Sequence, residues 1–98
     1  MKPIERLRQL KGLSLRAVEE KTGITNAYIS GLELSRYYQT IDNTVKLSKG
    51  LDTSIDYIIG KTNKITPLTK EDKIFIERYE EIEKQLKELN KTVKPRTK

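Results

Sequence analysis

Cysteine and histidine are both absent from the 98-residue sequence. Their absence excludes thiolate nucleophiles, disulfides, imidazole bases and the common zinc ligand sets. The 5 glycines are widely scattered, so the chain has no glycine-rich loop that could hold a phosphate. No long apolar run is present to span a membrane or to form the core of a signal peptide. We therefore expect a binding protein of the cytoplasm, not an enzyme, with no catalytic residues, metal or cofactor and no membrane partner.

Positive charge is in excess, with 20 basic against 14 acidic side chains and a net charge of +6. Such an excess favours a polyanionic partner, of which double-stranded DNA is one. The excess is uneven, because residues 1–60 carry nine basic and seven acidic side chains (+2), whereas residues 61–98 carry eleven and seven (+4). Charge alone therefore does not locate a binding site in the first sixty residues.

Caps and glycines divide residues 1–60 into five short helices. Pro3 suits the first turn of a helix that Gly12 ends, and Gly23 and Gly60 end later ones. Hydroxyl side chains suited to N-caps precede the second, third and fifth helices: Ser14, Thr25, and Thr53 or Ser54. No segment has the strict alternation of a half-buried strand, so the predicted fold class is all-α. Ile29, Leu32, Val45, Leu47 and Leu51 are predicted core residues, and Tyr57 is expected to pack with its hydroxyl at the surface.

A longer helix is predicted over residues 69–93, after a polar linker at residues 61–68 and before a basic, disordered tail at residues 94–98. Thr69 is its cap, with Asp72 in the capping-box position. Glu80–Lys84 and Glu83–Lys87 are expected ion pairs along its exposed side. Its apolar residues follow a heptad pattern typical of a coiled coil: Phe75, Tyr79, Ile82, Leu86, Leu89 and Val93.

Two arrangements of this helix are open. Phe75, Ile76 and Tyr79 could pack back on the same chain, or the heptad residues could pair two chains. We favour the homodimer, because a helix of this length would run about 36 Å, longer than the domain it would cover. Arg78 would face Glu83 of the other copy in a parallel pair, but the orientation, parallel or antiparallel, stays open.

Residues 14–33 carry the pattern of a helix-turn-helix. Two helices are joined by only Gly23, Ile24 and Thr25, and such a short joint forces a steep crossing that presents the second helix at the surface. A helix held in this way fits the major groove of DNA, where its first polar side chains reach base edges. The free N–H groups at its start could also bind a phosphate.

At these residues the chain resembles the Xre/Cro-CI family of helix-turn-helix regulators, which includes phage repressors. The resemblance covers residues 3–60 and is carried by Leu7-Arg8, Gly12-Leu13-Ser14, Lys21 to Thr25, Tyr28-Ile29-Ser30, Glu33 and the segment Leu47 to Gly60. It implies a five-helix, lambda-repressor-like DNA-binding domain that acts as a dimer on a palindromic operator. It also implies an internal ion pair between Arg8 and Glu33, and a prokaryotic or phage-encoded protein.

The resemblance also implies which residues meet DNA. Base contacts are expected from Asn26, Ala27 and Ser30. Phosphate contacts are expected from Arg16, Thr25, Tyr28, Arg36, Tyr38, Asn43 and Lys46.

The sequence departs from the family pattern at a few positions. Glu19 stands where a small residue is usual, so either the helix crossing differs or its side chain points outward. Leu15 replaces a frequent glutamine, and Ser35 and Gln39 replace the proline and glycine that are frequent in the loop after the third helix.

Two functions from different classes fit the sequence. The first is a sequence-specific transcriptional regulator, a repressor that occupies promoter DNA. The second is an antitoxin or partner-sequestering protein that uses the C-terminal helix to bind a regulatory protein partner.

Overall fold

The computed structural model describes residues 2–92, and within them the regular secondary structure is helical. The helices are α1 (Pro3–Leu10), α2 (Leu15–Thr22), α3 (Asn26–Glu33), α4 (Ile41–Leu51), α5 (Ile55–Ile58) and α6 (Lys70–Thr92). The predicted fold class, five short helices followed by one long helix, is confirmed. Val93 and the basic tail at residues 94–98 lie outside the described residues.

Side-chain hydroxyls cap the N-termini of four of the short helices. Ser14 Oγ accepts a hydrogen bond from the Ala17 amide at 3.0 Å, and Thr25, Thr40 and Ser54 accept in the same way from the amide three residues later. Each bond satisfies a backbone donor that the first helical turn would otherwise leave unpaired. The caps predicted at Ser14 and Thr25 are confirmed, and Ser54 rather than Thr53 caps α5.

Left-handed residues follow the five short helices. Gly12 and Gly60 hold this conformation after α1 and α5, as the sequence predicts. Ser35 (φ 61°) and Asp52 (φ 48°) hold it after α3 and α4 without being glycine. At Ser35 the two backbone bonds of a Schellman motif are present, from the Arg36 amide to the Gly31 carbonyl (2.7 Å) and from the Ser35 amide to the Leu32 carbonyl (3.1 Å).

One apolar core joins the five short helices. The predicted core residues are all buried, at 0–7% exposure: Ile29, Leu32, Val45, Leu47 and Leu51. The surface position expected for the Tyr57 hydroxyl is wrong, because Tyr57 is 1% exposed. Its hydroxyl donates to the Pro3 carbonyl at 2.9 Å, so a buried tyrosine ties α5 to the start of α1.

Helices α4 and α2 approach each other closely at Gly50. A Cβ placed on Gly50 would overlap the Lys21 carbonyl oxygen and lie 2.9 Å from Thr22 Cγ2. The absence of a side chain at Gly50 therefore sets the depth at which α2 packs on α4.

The long helix α6 begins in a capping box. The Asp72 amide donates to Thr69 Oγ1 (3.0 Å), and Asp72 Oδ2 accepts from the Thr69 amide (3.1 Å), as the sequence predicts. The same carboxylate accepts from the Ile55 amide at 3.3 Å, which joins the start of α6 to the start of α5.

The first half of α6 packs on its own domain. Ile76 is buried (4% exposed), Glu80 pairs with Lys49 at 2.7 Å, and the Tyr79 hydroxyl donates to Asp42 at 3.5 Å. The predicted Glu80–Lys84 and Glu83–Lys87 ion pairs are wrong, because the carboxylate of Glu80 is committed to Lys49 and Glu83 lies beside Asp42.

The segment of residues 61–68 lies against the five-helix domain. The Ser54 amide donates to the Thr66 carbonyl (2.9 Å), Arg6 donates to the Asn63 carbonyl (3.0 Å), and Ile65 packs on the core. Over residues 2–92 we find no helix with the length and apolar content needed to cross a bilayer.

Candidate nucleic-acid interface

The turn between α2 and α3 is fixed by local hydrogen bonds and by one buried side chain. Gly23 takes a left-handed conformation (φ 77°), and its amide donates to the Glu19 carbonyl at 2.8 Å. The Thr22 hydroxyl donates to the Val18 carbonyl (2.8 Å) and accepts from the Ile24 amide (3.2 Å). Ile24 is 6% exposed and anchors the turn in the core. These bonds set the crossing angle of α2 and α3.

An ion pair fixes the far end of α3. Arg8 on α1 donates to both carboxylate oxygens of Glu33 at 2.8 and 2.9 Å, and it donates to the Leu13 carbonyl at 3.3 Å. The Glu33 side chain is only 9% exposed, so the pair is largely shielded from water. The hydrogen bonds to Glu33 raise the pKa of Arg8 above its ordinary value, and the guanidinium stays charged. The ion pair that the resemblance implies is confirmed.

The outward face of α3 carries the three residues predicted to meet bases. Asn26 and Ala27 are exposed, and Ser30 is half-buried. The spacing of these residues places them together on the first turns of the helix. Within residues 2–92, neither the side-chain carboxamide of Asn26 nor the hydroxyl of Ser30 forms a hydrogen bond. Helix α3 thus has a polar face without internal hydrogen bonds among the described residues. The turn before the helix and the Arg8–Glu33 pair fix its two ends.

The N-terminus of α3 differs from the expectation of free N–H groups. Glu19 Oε1 accepts from the backbone N–H of Asn26 at 3.1 Å, and Thr25 Oγ1 accepts from the backbone N–H of Tyr28 at 3.3 Å. Two of the donors expected to be free for a phosphate are therefore occupied. The departure at Glu19 is explained by this bond: its side chain caps the next helix, and its carboxylate sits beside the positive end of that helix.

Aromatic stacking shapes the loop after α3. The rings of Tyr28 and Tyr37 lie parallel, with centroids 4.7 Å apart and planes at 5°. The Tyr37 ring also covers Gly31, where a Cβ would overlap it. The Tyr28 hydroxyl donates to the Tyr38 carbonyl at 3.3 Å, while the Tyr38 side chain is 94% exposed. Tyr28 thus orders the loop, and Tyr38 stands free beside α3.

The other predicted phosphate-binding positions flank this face. Arg16 on α2 and Arg36 in the loop are exposed, and neither forms an ion pair in the part of the chain described. Asn43 and Lys46 lie on the first turns of α4. Lys46 pairs with Asp42 at 3.0 Å, and this hydrogen bond lowers the pKa of Asp42 below its ordinary value.

Sequence reasoning did not single out Tyr37 and Asp42. Tyr37 stacks on Tyr28, but it lies in a loop without periodicity. The only signal in the sequence was a second tyrosine nine residues before it. Asp42 is shared between Lys46 on its own helix and Tyr79 on α6. No local pattern could have given that second contact, which spans 37 positions.

Comparison with known proteins gives one family. The family model described as helix-turn-helix matches residues 4–58, which is more than half of the chain. Searches of curated proteins and of solved structures return no significant match. The matched residues span α1 to α5 and include the turn, the Arg8–Glu33 pair and the outward face of α3. The chain therefore belongs to the Xre/Cro-CI type of helix-turn-helix proteins, the DNA-binding transcriptional regulators.

Proposed function

We propose that the protein is a sequence-specific repressor that binds a palindromic operator as a homodimer. Asn26, Ala27 and Ser30 read base edges in the major groove, and Asn26 is suited to a bidentate pair with adenine. Two copies place α3 in successive major grooves, with half-sites about 34 Å apart. Occupation of promoter DNA then blocks transcription without any chemical step. The localisation that goes with this function is the cytoplasm.

The single observation that carries this proposal is the polar face of α3 between two fixed ends. Thr25 caps one end of the helix and Glu33 is bound by Arg8 at the other. Preorganisation of this kind lowers the entropic cost of docking the helix in a groove. Around that face, we place the phosphate contacts at seven polar or basic residues: Arg16, Thr25, Tyr28, Arg36, Tyr38, Asn43 and Lys46.

Selection from random duplex DNA, followed by binding assays, tests the reading face. We expect a palindromic consensus, and a loss of about 1–3 kcal/mol for Asn26→Ala at the selected site. Ser30→Ala should weaken binding in the same assay by a smaller amount. Asn63→Ala is the matched control, because it makes the same substitution at an exposed position outside α3. Enrichment of no motif, or an Asn26→Ala variant that binds like the control, would contradict the proposal.

The homodimer is proposed to form through the apolar side of α6. Phe75, Ile82, Leu86 and Leu89 are 46–57% exposed and recur along one side of the helix. This side lies about a third of a turn away from the face, centred on Ile76 and Glu80, that packs on the domain of the same chain. Packing of α6 on its own domain and pairing of α6 with a second copy are therefore compatible. Tyr79, by contrast, lies at the edge of the apolar side and is bonded to Asp42.

Sedimentation equilibrium of the full chain tests the dimer. Ile82→Gln combined with Leu86→Gln should weaken association on the order of 100-fold, because about 3 kcal/mol of apolar burial is lost. The control combines Glu81→Gln and Lys84→Gln at exposed positions outside the apolar side of α6, which leaves that side intact. A monomeric wild type at concentrations that saturate the operator would overturn this part of the proposal.

A second candidate function is favoured by the same exposed side of α6. A protein that sequesters a partner, such as an antitoxin, would use these residues to bind a different polypeptide. In that case the chain would copurify with a second protein in fixed ratio. Its DNA binding would be weak and without sequence preference.

A further inference from the structure

The direction of α6 is set by its contacts with α4 and α5. Its first turn is bonded to the Ile55 amide, at the junction of α4 and α5. Glu80 then pairs with Lys49 near the end of α4, and Tyr79 bonds to Asp42 in the first turn of α4. The helix therefore crosses α4 obliquely in the antiparallel sense. After Glu83 it continues for about 14 Å, past the N-terminal turn of α4.

The part of α6 beyond Glu83 carries a net positive charge. Residues 84–92 contain three lysines and a single acidic residue, Glu88, so this stretch carries a charge of +2. Lys87 and Lys91 are exposed, are four positions apart on one face, and form no ion pair within residues 2–92. They continue the helical face that Ile76 and Glu80 turn toward the domain. This face is turned toward α4, whose first turn contacts α6 through Asp42 and Tyr79.

We propose that Lys87 and Lys91 bind the phosphate backbone of DNA beside the N-terminus of α4. This inference rests on the proposed function, in which Asn43 and Lys46 in the first turns of α4 meet phosphates. DNA held there comes within reach of the end of α6, where two unpaired ammonium groups add to the binding. The long helix then has two faces with separate partners, an apolar side for a second copy and a basic side for DNA. Such contacts are independent of base sequence and displace counterions.

The salt dependence of binding to a mixed-sequence duplex of about 40 base pairs tests this inference. We compare Lys87→Gln/Lys91→Gln with the matched control Lys70→Gln/Lys73→Gln, which removes the same charge from exposed positions at the other end of α6. The slope of log K against log salt should fall by about 0.9 per contacting lysine in the first variant. Affinity should fall several-fold in that variant. The control should keep most of the wild-type slope and affinity.

Three results are decisive. A smaller slope in Lys87→Gln/Lys91→Gln alone supports the contact. Equal slopes in the two variants overturn it while leaving the proposed function intact, because the wild type still binds. A wild type that binds neither this duplex nor any selected operator overturns both. Sedimentation of each variant shows whether the dimer is unchanged, which separates loss of a phosphate contact from loss of pairing.

Discussion

Replacing Gly50 with alanine should destabilise the protein, although the same change stabilises most helices. In an unobstructed helix, alanine gains about 1 kcal/mol over glycine. At Gly50 the new methyl group would overlap the Lys21 carbonyl and lie 2.9 Å from Thr22 Cγ2. A backbone carbonyl cannot rotate away, so α2 must shift, and such overpacking costs about 1–3 kcal/mol. Because the obstacle is backbone, we expect the upper part of this range and a net loss of about 1–2 kcal/mol.

Thermal and urea unfolding followed by far-UV circular dichroism measure this loss. A net loss of about 1–2 kcal/mol corresponds to a fall in Tm of about 4–16 °C for a domain of this size. Gly31→Ala is the matched variant, because its methyl group meets only the half-exposed ring of Tyr37, which can swing aside. That variant loses the Tyr28–Tyr37 stacking but gains the helix propensity of alanine, so its Tm should fall clearly less than that of Gly50→Ala. A Gly50→Ala protein that melts above the wild type would refute the reasoning about the α2–α4 contact.

Four further variants test the ends of α3. Glu33→Ala should cost about 2–4 kcal/mol in urea unfolding, because it leaves the guanidinium of Arg8 without its partner. Arg8→Met combined with Glu33→Leu should recover most of that loss, and additive losses would contradict the pairing. Ser35→Gly should raise stability by about 0.5–1 kcal/mol, since only glycine takes a φ of 61° without strain; an unchanged urea midpoint would count against this. Glu19→Gln keeps an oxygen for the Asn26 amide but removes a negative charge, so DNA affinity should rise by about 0.5–1 kcal/mol in a titration at low salt.

Much of the fold could be predicted because its signals are local. The Ser14 hydroxyl caps α2 through an amide only three residues later, and Gly23 ends the same helix directly after its last turn. Such short-range contacts can be recognised in the sequence. The Arg8–Glu33 pair spans 25 positions, and it was predicted only because the chain resembles a known family.

Contacts between distant polar side chains could not be predicted. The heptad pattern shows that α6 has an apolar side, but it does not show that Glu80 pairs with Lys49 across 31 positions. The free energy of such a pair depends on a geometry that packing sets. At the site, the stacking of Tyr37 on Tyr28 depends on the room that Gly31 leaves, and Glu19 reaches the Asn26 amide only because the turn is so tight.

The stacked pair of Tyr28 and Tyr37 gives this protein a built-in optical reporter. The chain has no tryptophan and only 5 tyrosines, so its near-ultraviolet signals come almost wholly from phenol rings. Two of those rings are parallel at 4.7 Å, close enough for their transitions to couple, and they sit on α3 and the loop that follows it. Any duplex that moves this loop changes the angle between the two transition dipoles. Near-ultraviolet circular dichroism of the unlabelled protein would therefore follow DNA binding as the difference between the spectrum of the complex and the summed spectra of protein and duplex, because the DNA bases contribute in the same range. No dye that could itself occupy the groove is needed.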